Sequence, residues 1–354
     1  MRGAKLPDAL EAAPFVASSR FAAQLPAYQG GMTQMTSPSV PLTGPNTSDR
    51  ILPGALLMIA FCVLAPLLDV CSKLATQTLP VGQVTLARFV VQSLVMLPVV
   101  MWMGEWGRMD RRLFGMVVLR ALFLVLSTYC FIAGISVMPI ADALAIVFVE
   151  PFILLLMGKI LFGEEVGPRR IAASIVGFAG ALLVIQPAFA TFGLVTLYPL
   201  GTAFLFAFYM LATRAISTRM HPVPMQLHTA LAGTAICLPV ILWAEGTGLP
   251  DLDPRMPQGI VWLWLFGVGF WASVSHMCMT YALKFAPSAT LAPLHYFEIV
   301  VAVVLGYLVF SDFPNAMTWA GIAIITGSGL YVIWRERRSA QQRASLDALT
   351  DPSF

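Results

Sequence analysis

Of 354 residues, 58% are hydrophobic and only 11% charged, against roughly 45–50% and 25% in soluble domains. With a mean hydropathy of +0.81, this composition excludes a soluble globular protein, and the long unbroken apolar runs exclude a β-barrel. The net charge of +3 is scattered between apolar segments rather than gathered in a patch, so no nucleic-acid partner is expected.

Residues 1–50 are rich in Pro, Ser, Thr, Gly and Ala and hold no apolar stretch that could span a bilayer or form the core of a signal peptide. They read as a disordered tail, or as a start assigned too early, with Met32 or Met35 opening the chain instead. Ten hydrophobic segments follow, at about 51–72, 82–103, 113–135, 140–162 and 170–187, then 193–213, 225–244, 259–283, 288–310 and 316–334. Each approaches the ~20 residues needed to cross ~30 Å of hydrocarbon. Turn chemistry marks the breaks, as at Pro139, Gly167-Pro168 and Pro314-Asn315. Residues 335–354 form a short C-terminal tail.

Lys and Arg near the segment ends set the expected orientation. With the N-terminus in the cytoplasm, Arg50, Arg108, Arg111, Arg112, Lys159, Arg169 and Arg170 fall inside, as do Arg214, Arg219, Lys284, Arg335, Arg337, Arg338 and Arg343. Only Lys73 and Arg255 fall outside. Both termini are therefore expected in the cytoplasm. Trp102, Trp106, Trp243, Trp262, Trp264 and Trp334 fall at the expected interfaces, where indole rings anchor.

Two segments repeat in phase. ADALAIVFVE, ending at Glu150, leads through an apolar run to Leu161-Phe162-Gly163-Glu164; ATLAPLHYFE, ending at Glu298, leads to Val309-Phe310-Ser311-Asp312. Glu150 superposes on Glu298, Gly158 on Gly306 and Glu164 on Asp312. Five segments per copy return the chain on the opposite side of the membrane, so the halves 51–187 and 193–334 are inverted with respect to each other. The fold class is thus an all-α membrane protein of ten transmembrane helices in two inverted five-helix repeats. A carboxylate in mid-span costs roughly 2.5–3.5 kcal/mol even on insertion scales, and so normally faces a cavity.

On these segments, on the acidic turns Gly163-Glu164 and Ser311-Asp312, and on the small-residue helices at Gly177–Gly180 and Gly327–Gly329, the chain resembles the EamA branch of the drug/metabolite transporter superfamily. The resemblance covers about 51–334. It implies transport of a small organic molecule, a bacterial inner-membrane location and, in several members, proton coupling. It leaves open export of metabolites or drugs and import of a vitamin-like planar solute such as riboflavin.

Glu150 and Glu298 head the candidate residues. Each reads either as a carboxyl that takes up and releases a proton as the cavity changes sides, or as a buried hydrogen-bonding group. Pro151 gives Glu150 a further structural reading as part of a kink. His295, three residues before Glu298, shares its helical face and can share its proton. Arg88, with Gln92 one turn on, needs a carboxylate, a carbonyl or a bound anion; Glu150 and Asp69 are the structural partners in view. Arg120 is expected to snorkel to headgroups, and Asp69 to pair with Lys73 four residues away. Polar stripes suggest cavity walls: Ser273, His276 and Thr280; Tyr198, Thr202 and Tyr209; Ser127, Thr128 and Tyr129. Each stripe reads equally as hydrogen bonding between helices.

Ala173, Gly177, Ala181, Ala323 and Gly327 allow close helix packing, within the chain or in a homodimer. The five cysteines lack Cys-x-x-Cys spacing and read as packing residues, so no disulfide, metal or cofactor is expected. A membrane-embedded enzyme or receptor is the rival class, but no His-Glu-x-x-His, Gly-x-Ser-x-Gly or P-loop occurs. Gly267-x-Gly269-x-x-Ala272 matches a dinucleotide fingerprint in letters only, since it follows no strand.

Overall fold

A computed structural model describes residues 48–107, 109–150, 168–217, 219–285 and 297–328, with isolated positions at 152, 153, 156, 157, 160, 294, 330, 331, 334 and 338. Of the tail expected at 1–50, residues 1–47 lie outside them, as do the acidic turn at Glu164 and His295, whereas 48–50 already belong to the first helix. Every regular element among the described residues is helical. In chain order these are α1 (Ser48–Thr76), α2 (Val81–Met103), α3 (Arg111–Ile135) and α4 (Ile140–Val147). There follow α5 (Pro168–Phe192), α6 (Leu197–Ser217), α7 (Pro222–Ala244), α8 (Val261–Phe285) and α9 (Phe297–Phe310), then α10 (Ala316–Ser328).

Six stretches are long and apolar enough to cross a membrane, and α9 and α10 are shorter apolar helices. One of the six, Ile175–Thr213, fuses two of the expected segments. The break predicted after residue 187 falls instead at a 3-10 turn, Gly193–Thr196. Pro187 is carried inside α5, whereas Gly193, at φ 61°, supplies the left-handed turn. Local signals fix other ends: the Asp110 carboxylate caps α3 by accepting from Leu113 N at 2.7 Å, and Asn315 does the same for Thr318 N at 2.9 Å in α10.

The helices pack in a definite pattern. α1 runs along α8 and α3 along α6; α2 meets α7 and α8, and α3 meets α7; α4 meets α6 and α9, and α1 meets α9. Large apolar side chains remain exposed on outward faces, including Leu94, Phe204, Leu242 and Leu308, as expected where lipid is the solvent. Trp102 and Trp243 are exposed as well.

The small-residue face of α5 is used within the chain, against α10. A Cβ on Gly180 would stand 2.7 Å from Ile324 Cγ2, and one on Gly321 would stand 2.4 Å from Val184 Cγ2 and 2.7 Å from the Gly180 carbonyl. Gly267 and Gly269 serve the same purpose in α8. Added Cβ atoms there would meet Cys71 Sγ at 2.8 Å and Val91 Cβ at 2.4 Å, so close helix approach accounts for those letters.

Two glycines of one helix then give opposite expectations. Alanine gains ~1 kcal/mol of helix propensity over glycine, and nothing lies within 4 Å of a Cβ at Gly327. Gly327→Ala is expected to raise the melting temperature of the detergent-purified protein. Gly321→Ala is expected to lower it, by a net ~1–3 kcal/mol of overpacking. Equal shifts for the two variants would contradict the α5–α10 contact.

Candidate transport site

A cavity with about 840 Å³ of empty space, part of it open to solvent, lies among α1, α2, α3, α4, α6, α8 and α9. From α1, Phe61, Ala65, Leu68, Asp69 and Ser72 line it, an i, i+4, i+7, i+8, i+11 stripe on one face. Arg88 enters from α2, Ser127, Thr128 and Phe131 from α3, Thr202 and Phe206 from α6, and His276 from α8. Glu150 and Glu298 complete the wall. Both halves of the chain therefore contribute charged groups to one enclosure.

The two glutamates occupy matching positions in the sequence repeat. α4 ends at Val147, Phe148 and Val149 form a turn, and the chain is helical again at Glu150. Glu298 lies in the first turn of α9. The segment expected to run unbroken from 140 is thus interrupted next to its glutamate. Both glutamates are 6% exposed, and Asp69 is 7% exposed. Asp69 lies within electrostatic reach of Arg88 and Glu298.

Arg88 pairs with none of these acids among the described residues. Its Nη1–H donates to Thr128 Oγ1, and its Nη2–H donates to His276 Nε2 at 3.1 Å. The guanidinium carbon also stands 5.5 Å from the Phe89 ring centroid. The partners considered from the sequence, Glu150 and Asp69, leave it to a hydroxyl and an imidazole. A partner chosen from residue type alone misses this, because α3 and α8 both pass closer to the Arg88 head than any carboxylate does.

Other expected site residues are placed elsewhere. Ser273 donates to the Gly269 carbonyl at 2.8 Å and Thr280 to the His276 carbonyl at 2.7 Å, both bonds internal to α8. Tyr129 is half-buried against the cluster of Leu68, Ile132 and Val268. Gln92 is buried in α2 with Oε1 unbonded. None of the four lines the cavity, and neither does Tyr209. Among the described residues, the cavity's six-membered rings are Phe61, Phe131, Phe148 and Phe206 in place of the expected tyrosines.

Two ion contacts differ from expectation. Arg120 does not snorkel: it is fully buried, because α3 packs against both α6 and α7 and carries this side chain inward. Its Nε–H donates to Thr213 Oγ1 at 2.8 Å, Nη2–H to Tyr209 Oη at 2.8 Å, and Nη1–H to Thr229 Oγ1. Tyr209 and Thr213, one turn apart on α6, are the sequence signal for that site. Lys73, expected on Asp69, instead donates to Asp312 Oδ2 at 2.7 Å and to the Met138 carbonyl at 3.0 Å. It also stands 4.8 Å from the Phe310 ring centroid. The packing of α1 on α9 brings the turn after α9 to Lys73, while Asp69 lines the cavity.

Among the described residues no group of His, Cys, Asp and Glu is arranged to hold a metal ion. None of the described cysteines is joined in a disulfide. Cys62 Sγ–H donates to the Leu294 carbonyl at 3.2 Å, a packing contact between helices.

Comparison with known proteins settles the family. The model of the EamA-like transporter family matches twice, over residues 52–186 and 192–334. The chain belongs to the EamA-like transporter family. Among curated relatives of this EamA-like chain, the riboflavin transporter of Vibrio cholerae is 27% identical over 75% of this chain and 87% of its own length. The S-adenosylmethionine uptake transporter of Rickettsia prowazekii is 25% identical over 78% and 90%. The pseudopaline exporter CntI of Pseudomonas aeruginosa is 23% identical over 78% and 94%. A solved crystal structure superposes with a TM-score of 0.57 at 17% identity, over 82% of this chain and 98% of that one, a likeness of fold. With its helical apolar spans, this EamA-like chain is a multi-pass membrane protein of bacterial type.

Proposed function

We propose that this EamA-like protein is a secondary active transporter moving a small organic metabolite across a bacterial inner membrane. Two inverted five-helix halves, 51–187 and 193–334, alternate access to the shared cavity. The observation that carries the reading is that cavity: buried Asp69, Arg88, Glu150, His276 and Glu298 come to it from both halves. Charges placed so deep in a membrane protein are costly and mark a solute or ion path.

The packing pattern supports the inverted repeat. Adding five to each helix number of the first half, and subtracting five in the second, turns α1–α8 into α6–α3, α2–α8 into α7–α3 and α1–α9 into α6–α4. All of these pairs pack together, and α2–α7, α4–α9 and α5–α10 map onto themselves. The Lys and Arg distribution supports both termini in the cytoplasm. Lys73 and Asp312 then lie together on the outer face, where their contact closes the two halves over the cavity. Relatives named for uptake favour import. Proton coupling through Glu298, with Glu150 as its counterpart, supplies the driving force.

The test is flux. Protein reconstituted in liposomes, given an inward proton gradient, is expected to accumulate S-adenosylmethionine or riboflavin above the equilibrium level and to lose that accumulation when a protonophore is added. Equilibration at the rate of protein-free liposomes, across a panel of such metabolites, would refute the transporter reading.

A further inference from the structure

Of the buried acids among the described residues, Asp69, Glu150 and Glu298 line the cavity and Asp142 does not. Asp142 stands in the first turn of α4, 7% exposed. It lies four residues after Met138, whose carbonyl already accepts from Lys73 at 3.0 Å. The Thr318 hydroxyl of α10 donates to its carboxyl, and both Lys73 and Asp312 are within electrostatic reach of it. Its Oδ1 has no hydrogen-bond partner among the described residues. One lysine thus faces two acids at the outer face, and Asp312 holds it.

The four side chains divide between the halves. Lys73 and Asp142 belong to 51–187, and Asp312 and Thr318 to 193–334. Both bonds therefore cross the divide, Lys73 to Asp312 at 2.7 Å and Thr318 to Asp142, and parting the halves breaks them together. A charge or polar group left buried without its partner is costly. Here the two groups orphaned in the first half are an ammonium and a carboxylate. The Met138 carbonyl, also of the first half, holds the ammonium near the start of α4. A lysine carries three donors on a flexible four-carbon stem, so it reorients readily between neighbouring acceptors. Asp312, whose side chain is 29% exposed, is left to water.

Resting on the transporter reading above, we propose that Asp142 is the second acceptor of Lys73: as the outer face opens, the ammonium passes from Asp312 to Asp142. Opening then exchanges one ion pair for another, where a simple latch would leave two groups unmatched. Asp142 is a positioning residue, acting on Lys73 and touching no solute.

The test reads outward opening without a solute. Ser72 lines the cavity, next to Lys73 in sequence, and is 2% exposed. In the full-length protein with its native cysteines replaced, Ser72→Cys in right-side-out membrane vesicles reports opening through its rate of reaction with impermeant methanethiosulfonates. A cationic and an anionic reagent are both used. Altered local charge moves their rates in opposite directions, whereas altered opening moves them together. Asp312→Asn is expected to speed both by about threefold or more, the scale of one partly exposed ion pair. Asp142→Asn still accepts from Thr318 and is expected to slow both by about threefold or more. In a Lys73→Met background that slowing is expected to be lost, which a merely structural role of Asp142 would not produce. Faster labelling of Asp142→Asn, unchanged labelling, or equal slowing without Lys73 overturns the exchange. Should Asp142→Asn fail to insert, Thr318→Val decides: it frees Asp142 for Lys73 and is expected to speed both reagents, and unchanged or slower labelling overturns the exchange. Liposomes that accumulate solute while Asp142→Asn labels like the unsubstituted reporter would overturn the exchange with the transporter reading intact. Opposite shifts for the two aspartates in a protein that moves no metabolite would sustain the exchange while refuting transport.

Discussion

Glu298→Gln is expected to abolish uphill accumulation driven by a proton gradient while leaving membrane insertion intact. Glutamine keeps the shape of the side chain and much of its hydrogen bonding but cannot ionise. Glu298 is buried, lines the cavity and stands in electrostatic reach of Asp69. A carboxyl there that meets each compartment in turn carries a proton through the membrane potential, worth ~2.3 kcal/mol per 100 mV. That energy supports a concentration ratio of about 50-fold per 100 mV for one coupled proton. With the ionising group gone, accumulation is expected to fall to the equilibrium level, while exchange of labelled for unlabelled solute persists. Glu150→Gln is expected to match it if the two positions share the task symmetrically, and to retain partial coupling if Glu150 acts through the helix break beside it. Wild-type accumulation by Glu298→Gln across pH 5.5 to 8 would show that this carboxyl does not couple transport.

Much of the architecture is legible in the sequence because lipid imposes a simple rule. Apolar segments of span length must be helices, since no water satisfies their backbone groups, and α2, α3 and α7 begin and end within a few residues of the segments read from hydropathy. Boundaries fail where helices continue through a turn without a polar break. Residues 188–192 belong to α5 because nothing before Gly193 forces the chain out of helix. The in-phase glutamates are legible for the same reason: acids are so costly in lipid that their presence alone points to an enclosure. What periodicity cannot give is which face of each helix turns inward, because a helix wrapped in apolar residues has no strong polar side to read.

Side-chain partnerships are the least legible part. Lys73 and Asp69 are one turn apart, yet the pairing partner is 239 residues away, at Asp312, since α1 packs on α9. Arg120 carries the same lesson: a cation near a span end usually snorkels, but packing between α6 and α7 surrounds this one with three hydroxyls. Tyr209 of α6 is likewise spent on that arginine, and Tyr198 packs in the cluster of Ile132 and Val268.

The Lys73–Asp312 contact gives the second large expected effect and the most direct test of alternating access. Lys73 belongs to the first half and Asp312 to the second, joined at 2.7 Å with the Met138 carbonyl as a further acceptor. If the halves must part here for solute to enter from outside, tethering them must stop the cycle. Cysteines replace Lys73 and Asp312 in a protein whose native cysteines have been removed, and a short bifunctional methanethiosulfonate reagent links them through disulfides that a reductant cleaves. The account predicts that the linked protein, with the tether verified by mass, loses solute flux to the background of empty liposomes and regains it on reduction. Undiminished flux through the tethered protein would contradict alternating access at this face.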